Sequence, residues 1–149
     1  IAVIKIIHEI ERVGDKAEHI AEMAIKLSGT EKSVPHHELE HLSNLVKGML
    51  HDALDAFARM SLEKVPEITS LDDKVDREYD SILRQLITRM MEDPRNITRT
   101  LDVLWTVRAL ERIGDHACYI CEHLVYMIQG ENVRHLSQEE LEKIVNFKR

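Results

Sequence analysis

Acidic residues at helical spacing carry the clearest chemistry in this sequence. Glu11, Asp15, Glu18 and Glu22 lie 4, 3 and 4 residues apart, which places them on one face of a helix. Glu111, Asp115 and Glu122 repeat the pattern further along, with Cys118 in the third place. Like charges one turn apart repel, so such a stripe costs stability unless cations offset it. Hard cations such as Mg, Mn, Ca or iron would do so through oxygen ligands. Asp72 and Asp76 form a further pair four residues apart, with Asp73 and Asp80 nearby. If the helices carrying them pack antiparallel, Asp72 and Asp76 face Glu111 and Asp115 and make a four-carboxylate site. The plainer alternative is a solvated acidic face bridged to Arg12, Arg112, Arg77 or Arg108.

The elements that must position these residues are helices. Val3, Ile6, Ile10, Val13, Ala17, Ile20, Ala24 and Leu27 alternate steps of three and four, one apolar stripe of a bundle helix. Gly29 is a natural stop, and a linker from Thr30 to Pro35 leads to a second helix. Its stripe is Leu42, Val46, Met49, Ala53, Phe57 and Met60. A turn near Ser61 and Leu62 reverses the chain into a third helix running to about Met91, with Ile68, Val75, Tyr79, Ile82, Leu86 and Met90 inward. Asp93-Pro94 reads as a capping residue followed by proline at the first helical position. The fourth helix continues through Leu101, Leu104, Val107, Leu110, Ile113, Ala117, Ile120 and Leu124 to about Ile128 and ends at Gly130. Ser137 and Glu140 have capping-box spacing for a short last helix. No strand pattern competes, and the fold class is all-α: an antiparallel helical bundle with short loops.

An internal repeat is the most informative feature. Ile10-Glu11-Arg12-Val13-Gly14-Asp15 aligns without a gap on Leu110-Glu111-Arg112-Ile113-Gly114-Asp115, and Ala17, Ile20 and Glu22 match Ala117, Ile120 and Glu122. Polar identities off the apolar stripe point to two copies of one supersecondary unit. Gly14 and Gly114 each cost about 1 kcal/mol in a helix interior relative to Ala. Their recurrence favours a close helix contact or room for a bound ion, with contact the preferred reading.

Other motifs carry less. Cys118 and Cys121 have CxxC spacing but sit mid-helix, without the second ligand pair or preceding strand that zinc or redox chemistry needs; they read as core filler. His36, His37 and His41 lie at a helix start and read as solvated surface, while His116 is matched by Lys16 in the first copy. Glu38 to His41 gives a single Glu-x-x-His, too few for a di-iron carboxylate oxidase of ferritin type. No nucleophilic triad and no glycine-rich phosphate loop occurs.

Composition narrows the class further. The net charge of -7 and the lack of a basic stripe argue against nucleic acid. Charged residues make up 32% but are interleaved with apolar ones, against disorder. The longest apolar runs are far too short to span a bilayer. Nothing resembles a signal peptide, so a reducing cytoplasm is the expected compartment. The chain begins with Ile1, already in mid-helix pattern, so an N-terminal part is expected to be missing.

Several segments together resemble the PhoU family of phosphate-uptake regulators. They are Glu-Arg-Ile-Gly-Asp-His at 111–116, Asp-x-x-Val-Asp-x-x-Tyr at 72–79, Met-Met-Glu-Asp-Pro at 90–94 and Gly-Glu-Asn-Val-Arg-His at 130–135. Residues 49–60, Met-Leu-His-Asp-Ala-Leu-Asp-Ala-Phe-Ala-Arg-Met, resemble the proteobacterial members in particular. The resemblance implies tandem three-helix bundles. Residues 1–29 would be the last helix of the first repeat, 30–130 the second bundle and 131–149 a tail with a short helix. It further implies divalent metal (Mn, Mg or Fe) held by Asp72, Asp76, Glu111 and Asp115, with Glu11 and Asp15 as half of a first site. The orphan first helix would join the second bundle or pair with another chain. The function implied is that of a negative regulator of the phosphate-starvation response, not an enzyme. It would be a cytoplasmic adaptor, possibly at the inner membrane face, between the ATP-binding subunit of the phosphate ABC transporter and a membrane sensor histidine kinase, and a homodimer. The rival readings are a structural helical module without metal and a ferritin-like metal oxidase.

Overall fold

The computed structural model describes residues 1–29 and 36–147. The expected linker from Thr30 to Pro35 and the side chain of His36 lie outside the described residues. Six α-helices follow in order: α1 (Ala2–Leu27), α2 (His36–Arg59), α3 (Val65–Ser70), α4 (Asp72–Glu92), α5 (Ile97–Gln129) and α6 (Gln138–Asn146). Among the described residues no helix is long and apolar enough to cross a membrane.

α5 is the axis of the molecule. It packs against α2 and α4 on one side and along α1 on the other, which is why it is buried on more than one face. Its stripe Val103, Val107, Leu110, Gly114, Ala117, Cys121 and Leu124 is buried, and Gly114 lies against Val46 of α2 and Val75 of α4. With Leu42, Met49, Ile68, Ile82 and Leu86 these residues form the core. Each fully buried Leu, Ile or Met contributes on the order of 1.5–3 kcal/mol.

α1 runs antiparallel to α5, because Glu9 near its start meets His116 and His123, and Lys26 at its end meets Asp102. Its expected stripe is split. Ile6 and Val13 are buried and Ile20 and Leu27 pack on the core, but Val3, Ile10, Ala17 and Ala24 are exposed. The repeat explains the split. α1 residues Val3, Ile7, Ile10, Gly14, Ala17, Ala21 and Ala24 match the α5 stripe buried under α2 and α4. On α1 that stripe is open, with Ile7 57% exposed.

Three further expectations are corrected. The third helix is broken at Leu71 into α3 and α4, with the Leu71 amide bonded to the Ile68 carbonyl, a tightened turn that ends α3. Met60 is not core: it adopts φ +52° and is 51% exposed, terminating α2 while the Ser61 amide reaches back to the Ala56 carbonyl. A single 3₁₀ turn, Pro94–Asn96, precedes α5, with the Asp93 carboxylate accepting the Arg95 amide at 3.1 Å. Gly29 and Gly130 both take left-handed backbone just past helix ends, the role glycine fills without a Cβ penalty.

Candidate functional site

Four of the predicted carboxylates lie along the seam where α4 faces α5, close enough to feel one another's charge. Asp72 opens α4, Asp76 follows one turn on, and Glu111 and Asp115 occupy successive turns of α5. Their proximity shows in their acidity. Burial, with the charges of Asp76, Asp115 and Asp73 beside it, pushes the Asp72 carboxyl up from 3.8 to about 6. Burial also raises Glu111, with Asp115 adding to it and Arg108 and Arg112 opposing. Asp115 is raised by burial and Asp76 against the pull of Arg112.

Two guanidiniums partly offset this charge. Arg112 donates to Asp115 at 2.8 Å, and Arg108 Nη1 lies 3.2 Å from Glu111 Oε2. The second approach lacks hydrogen-bond geometry, since Glu111 Oε2 is buried without a hydrogen-bond partner; Asp72 Oδ1 is in the same condition. A buried acceptor left without a hydrogen bond costs about 1–3 kcal/mol, a cost the Arg108 charge partly offsets at Glu111. Four acidic groups against two arginines, with two buried oxygens that accept no hydrogen bond, form a donor set suited to a hard cation. The set is not drawn together as it stands: among the described residues no group of three or more His, Cys, Asp and Glu is gathered as metal ligands. Holding an ion would require Arg108 and Arg112 to swing aside.

Glu11 and Asp15 are not brought to this seam. Both are exposed on α1, with Glu11 3.9 Å from His8 of its own helix. The glycine contact expected in both copies is made only at Gly114. A Cβ at Gly14 would meet nothing within 4 Å, and at Gly114 only ordinary contact, 3.5 Å from Val75 Cγ1. Cys118 and Cys121 are free and buried; burial pushes the Cys121 thiol up to about 12. Glu38 is exposed and His41 bonds Glu78 at 2.8 Å.

The sequence pattern passed over a second polar cluster, in the α1–α5 seam. Glu9 accepts from His116 Nδ1 at 2.6 Å and lies 3.7 Å from His123 Nε2. Burial lowers the pKa of His123, with Glu9 opposing. At the other end Lys26 donates to the buried Asp102 at 2.6 Å. The available signal was phase: Glu9 falls between Ile6 and Val13 on the buried side of α1, and His116 and His123 are two turns apart on α5.

Fold and site together define an all-α bundle whose distinguishing chemistry is a half-buried acidic seam between two facing helices. Known proteins share the fold. A PhoU domain model matches residues 39–124, more than half of the chain, and the chain belongs to the PhoU family. It is 43% identical over 141 residues to the phosphate-specific transport system accessory protein PhoU of Escherichia coli, covering 95% of this chain and 58% of that one. The Pseudomonas aeruginosa homolog is 41% identical, across 100% of this chain and 62% of its own. The crystal structure of PhoU from Pseudomonas aeruginosa superposes with a TM-score of 0.82 at 42% identity, over 87% of this chain and 63% of that one. PhoU from Streptococcus pneumoniae gives 0.79 at 29%, over 89% and 62%. The chain thus spans about three fifths of the length of these relatives.

Proposed function

We propose that this chain is a regulatory adaptor of phosphate transport, without a reaction of its own, whose acidic seam takes a divalent cation. The observation that carries the cation reading is a pair of buried carboxylate oxygens on facing helices without a full complement of partners: Asp72 Oδ1 accepts no hydrogen bond, and Glu111 Oε2 has only the Arg108 ion pair at 3.2 Å. The transport reading is supported by the relatives, each named as a phosphate-specific transport system accessory protein. Asp72, Asp76, Glu111 and Asp115 would hold Mn, Mg or Fe, and a bound cation supplies the positive charge that the two arginines leave short. With their repulsion relieved, the α4 and α5 carboxylates favour one closed arrangement, and any partner that prefers it binds more tightly. Glu11 and Asp15 would contribute half of an equivalent site on the open stripe of α1, completed by a helix pair like α2 and α4.

The partners proposed are the ATP-binding subunit of the phosphate ABC transporter and a membrane sensor histidine kinase. The chain would work as a homodimer on the cytoplasmic side of the membrane. Binding of the purified chain to that subunit, with Mn and then with chelator, tests this. Binding that weakens in chelator, and equally in the variant with Ala at 72, 76, 111 and 115, is expected. Binding indifferent to both would leave the seam a solvated face. The ion pairs Arg108–Glu111 and Arg112–Asp115 favour that second reading, a structural module without metal.

A further inference from the structure

We propose that Gln138, the first residue of α6, is a positioning residue that holds Asp72 in the acidic seam, so that the C-terminal tail regulates the site. The proposal rests on the cation reading above. Asp72 depends on what precedes it. α4 starts there with no side-chain cap, and the single residue Leu71 joins it to α3. α3 has only six residues, far below the length at which a helix holds itself in water. Its placement must come from packing and from bonds made by other elements.

Gln138 makes those bonds. Its Nε2 donates to the Pro66 carbonyl at 2.6 Å, and its Oε1 lies 3.1 Å from the Thr69 hydroxyl, whose single proton is shared with the Val65 and Pro66 carbonyls at the same distance. One amide thus reaches α3 at two points, firmly at Pro66 and in part at Thr69. The backbone that carries it is fixed, because Ser137 and Glu140 form a reciprocal capping box that sets the first turn of α6. Val133 and Leu141 are buried on either side of it. A cavity of about 200 Å³ lies between tail and seam, with Asp72, Cys118, Glu122, Arg134 and Gln138 in its wall. Arg134 Nε stands 3.8 Å from Glu122 Oε2 across it. The tail therefore closes the end of the seam and reaches Asp72 through α3. Undocking it would remove this grip and loosen the α3–α4 junction at Asp72, leaving Val65, Ile68 and Val75 to hold it by packing alone.

The test is an Mn titration of the whole chain alongside hydrogen exchange at the amides of residues 72–76. Gln138→Ala and Thr69→Val each remove part of the grip; Lys143→Ala, on the exposed side of α6, is the control, and Asp72→Ala defines loss of the site. Gln138→Ala should weaken Mn binding about three- to tenfold, the loss of the Pro66 hydrogen bond and part of the Thr69 one. It should speed exchange at residues 72–76 and leave overall helicity unchanged. Thr69→Val should do less in the same direction, and Lys143→Ala nothing. Wild-type affinity and exchange in Gln138→Ala, with binding still lost in Asp72→Ala, overturns the positioning role and leaves the cation reading standing. If the wild type and Asp72→Ala bind Mn alike, the cation reading falls. Exchange then decides the positioning role by itself: faster in Gln138→Ala supports it, unchanged removes it.

Discussion

Replacing Asp72 by Asn should stabilise the cation-free protein at neutral pH, an unusual outcome for a change to a half-buried polar group. The carboxyl sits at about 6 in the folded chain, against 3.8 for the free group, so folding favours its neutral form. At about 1.4 kcal/mol per pH unit, that difference is worth about 3 kcal/mol. Solvent reaching the open side of the seam cuts this to about 1–2 kcal/mol. The sign follows from linkage. Well below pH 3.8 the carboxyl is neutral in both states, and wild type and Asp72→Asn should match, with the gap still small at pH 4. As pH rises from about 4 through about 6, the wild type loses stability that the amide variant keeps. In a chain of this size the gap at pH 7.5 is about 3–6 °C in Tm. Thermal unfolding in chelator at pH 4 and pH 7.5 measures it. Adding Mn should reverse the order, stabilising the wild type alone by mass action. A variant less stable than wild type at pH 7.5 in chelator would refute the reasoning, because Asp72 would then be a net stabilising partner, not a strained one.

Two further changes probe the frame around the site. Lys26→Ala should cost about 1 kcal/mol in urea unfolding, since it leaves the buried Asp102 carboxylate without its 2.6 Å partner at one end of α1; no change would mean that the pair does not anchor that end. Gly14→Ala and Gly114→Ala should each stabilise by about 0.5–1 kcal/mol, because a Cβ finds open space at the first and ordinary contact at the second; destabilisation at Gly114 would show that helices α4 and α5 pack more tightly there than the 3.5 Å approach allows.

Period and punctuation made most of the helices legible in the sequence. Gly29, Gly130, Asp93-Pro94 and the Ser137–Glu140 box mark ends that the structure places within a residue or two of the expected positions. Periodicity could not register the break at Leu71, because Leu71 keeps right-handed helical backbone and the apolar spacing runs straight through it. Nor could it divide the α1 stripe into a buried and an open half, which depends on α1 meeting α5 along one edge only. That Asp72 and Asp76 share a seam with Glu111 and Asp115 was legible from spacing plus antiparallel packing; that they do not gather into a ligand group was not. The arginine pairs of Glu111 and Asp115 are only candidates in the sequence, because i,i+3 spacing permits a bridge without requiring one. The Gln138 grip on α3 joins residues 72 apart in sequence and leaves no local trace.

The most direct test of the account is equilibrium binding of Mn to the cation-free chain, run beside the variant with Ala at Asp72, Asp76, Glu111 and Asp115, both checked for helicity. The account predicts saturable binding by the wild type that is lost in the folded variant. Equal, weak binding by both would contradict it and reduce the seam to an acidic surface balanced by Arg108 and Arg112.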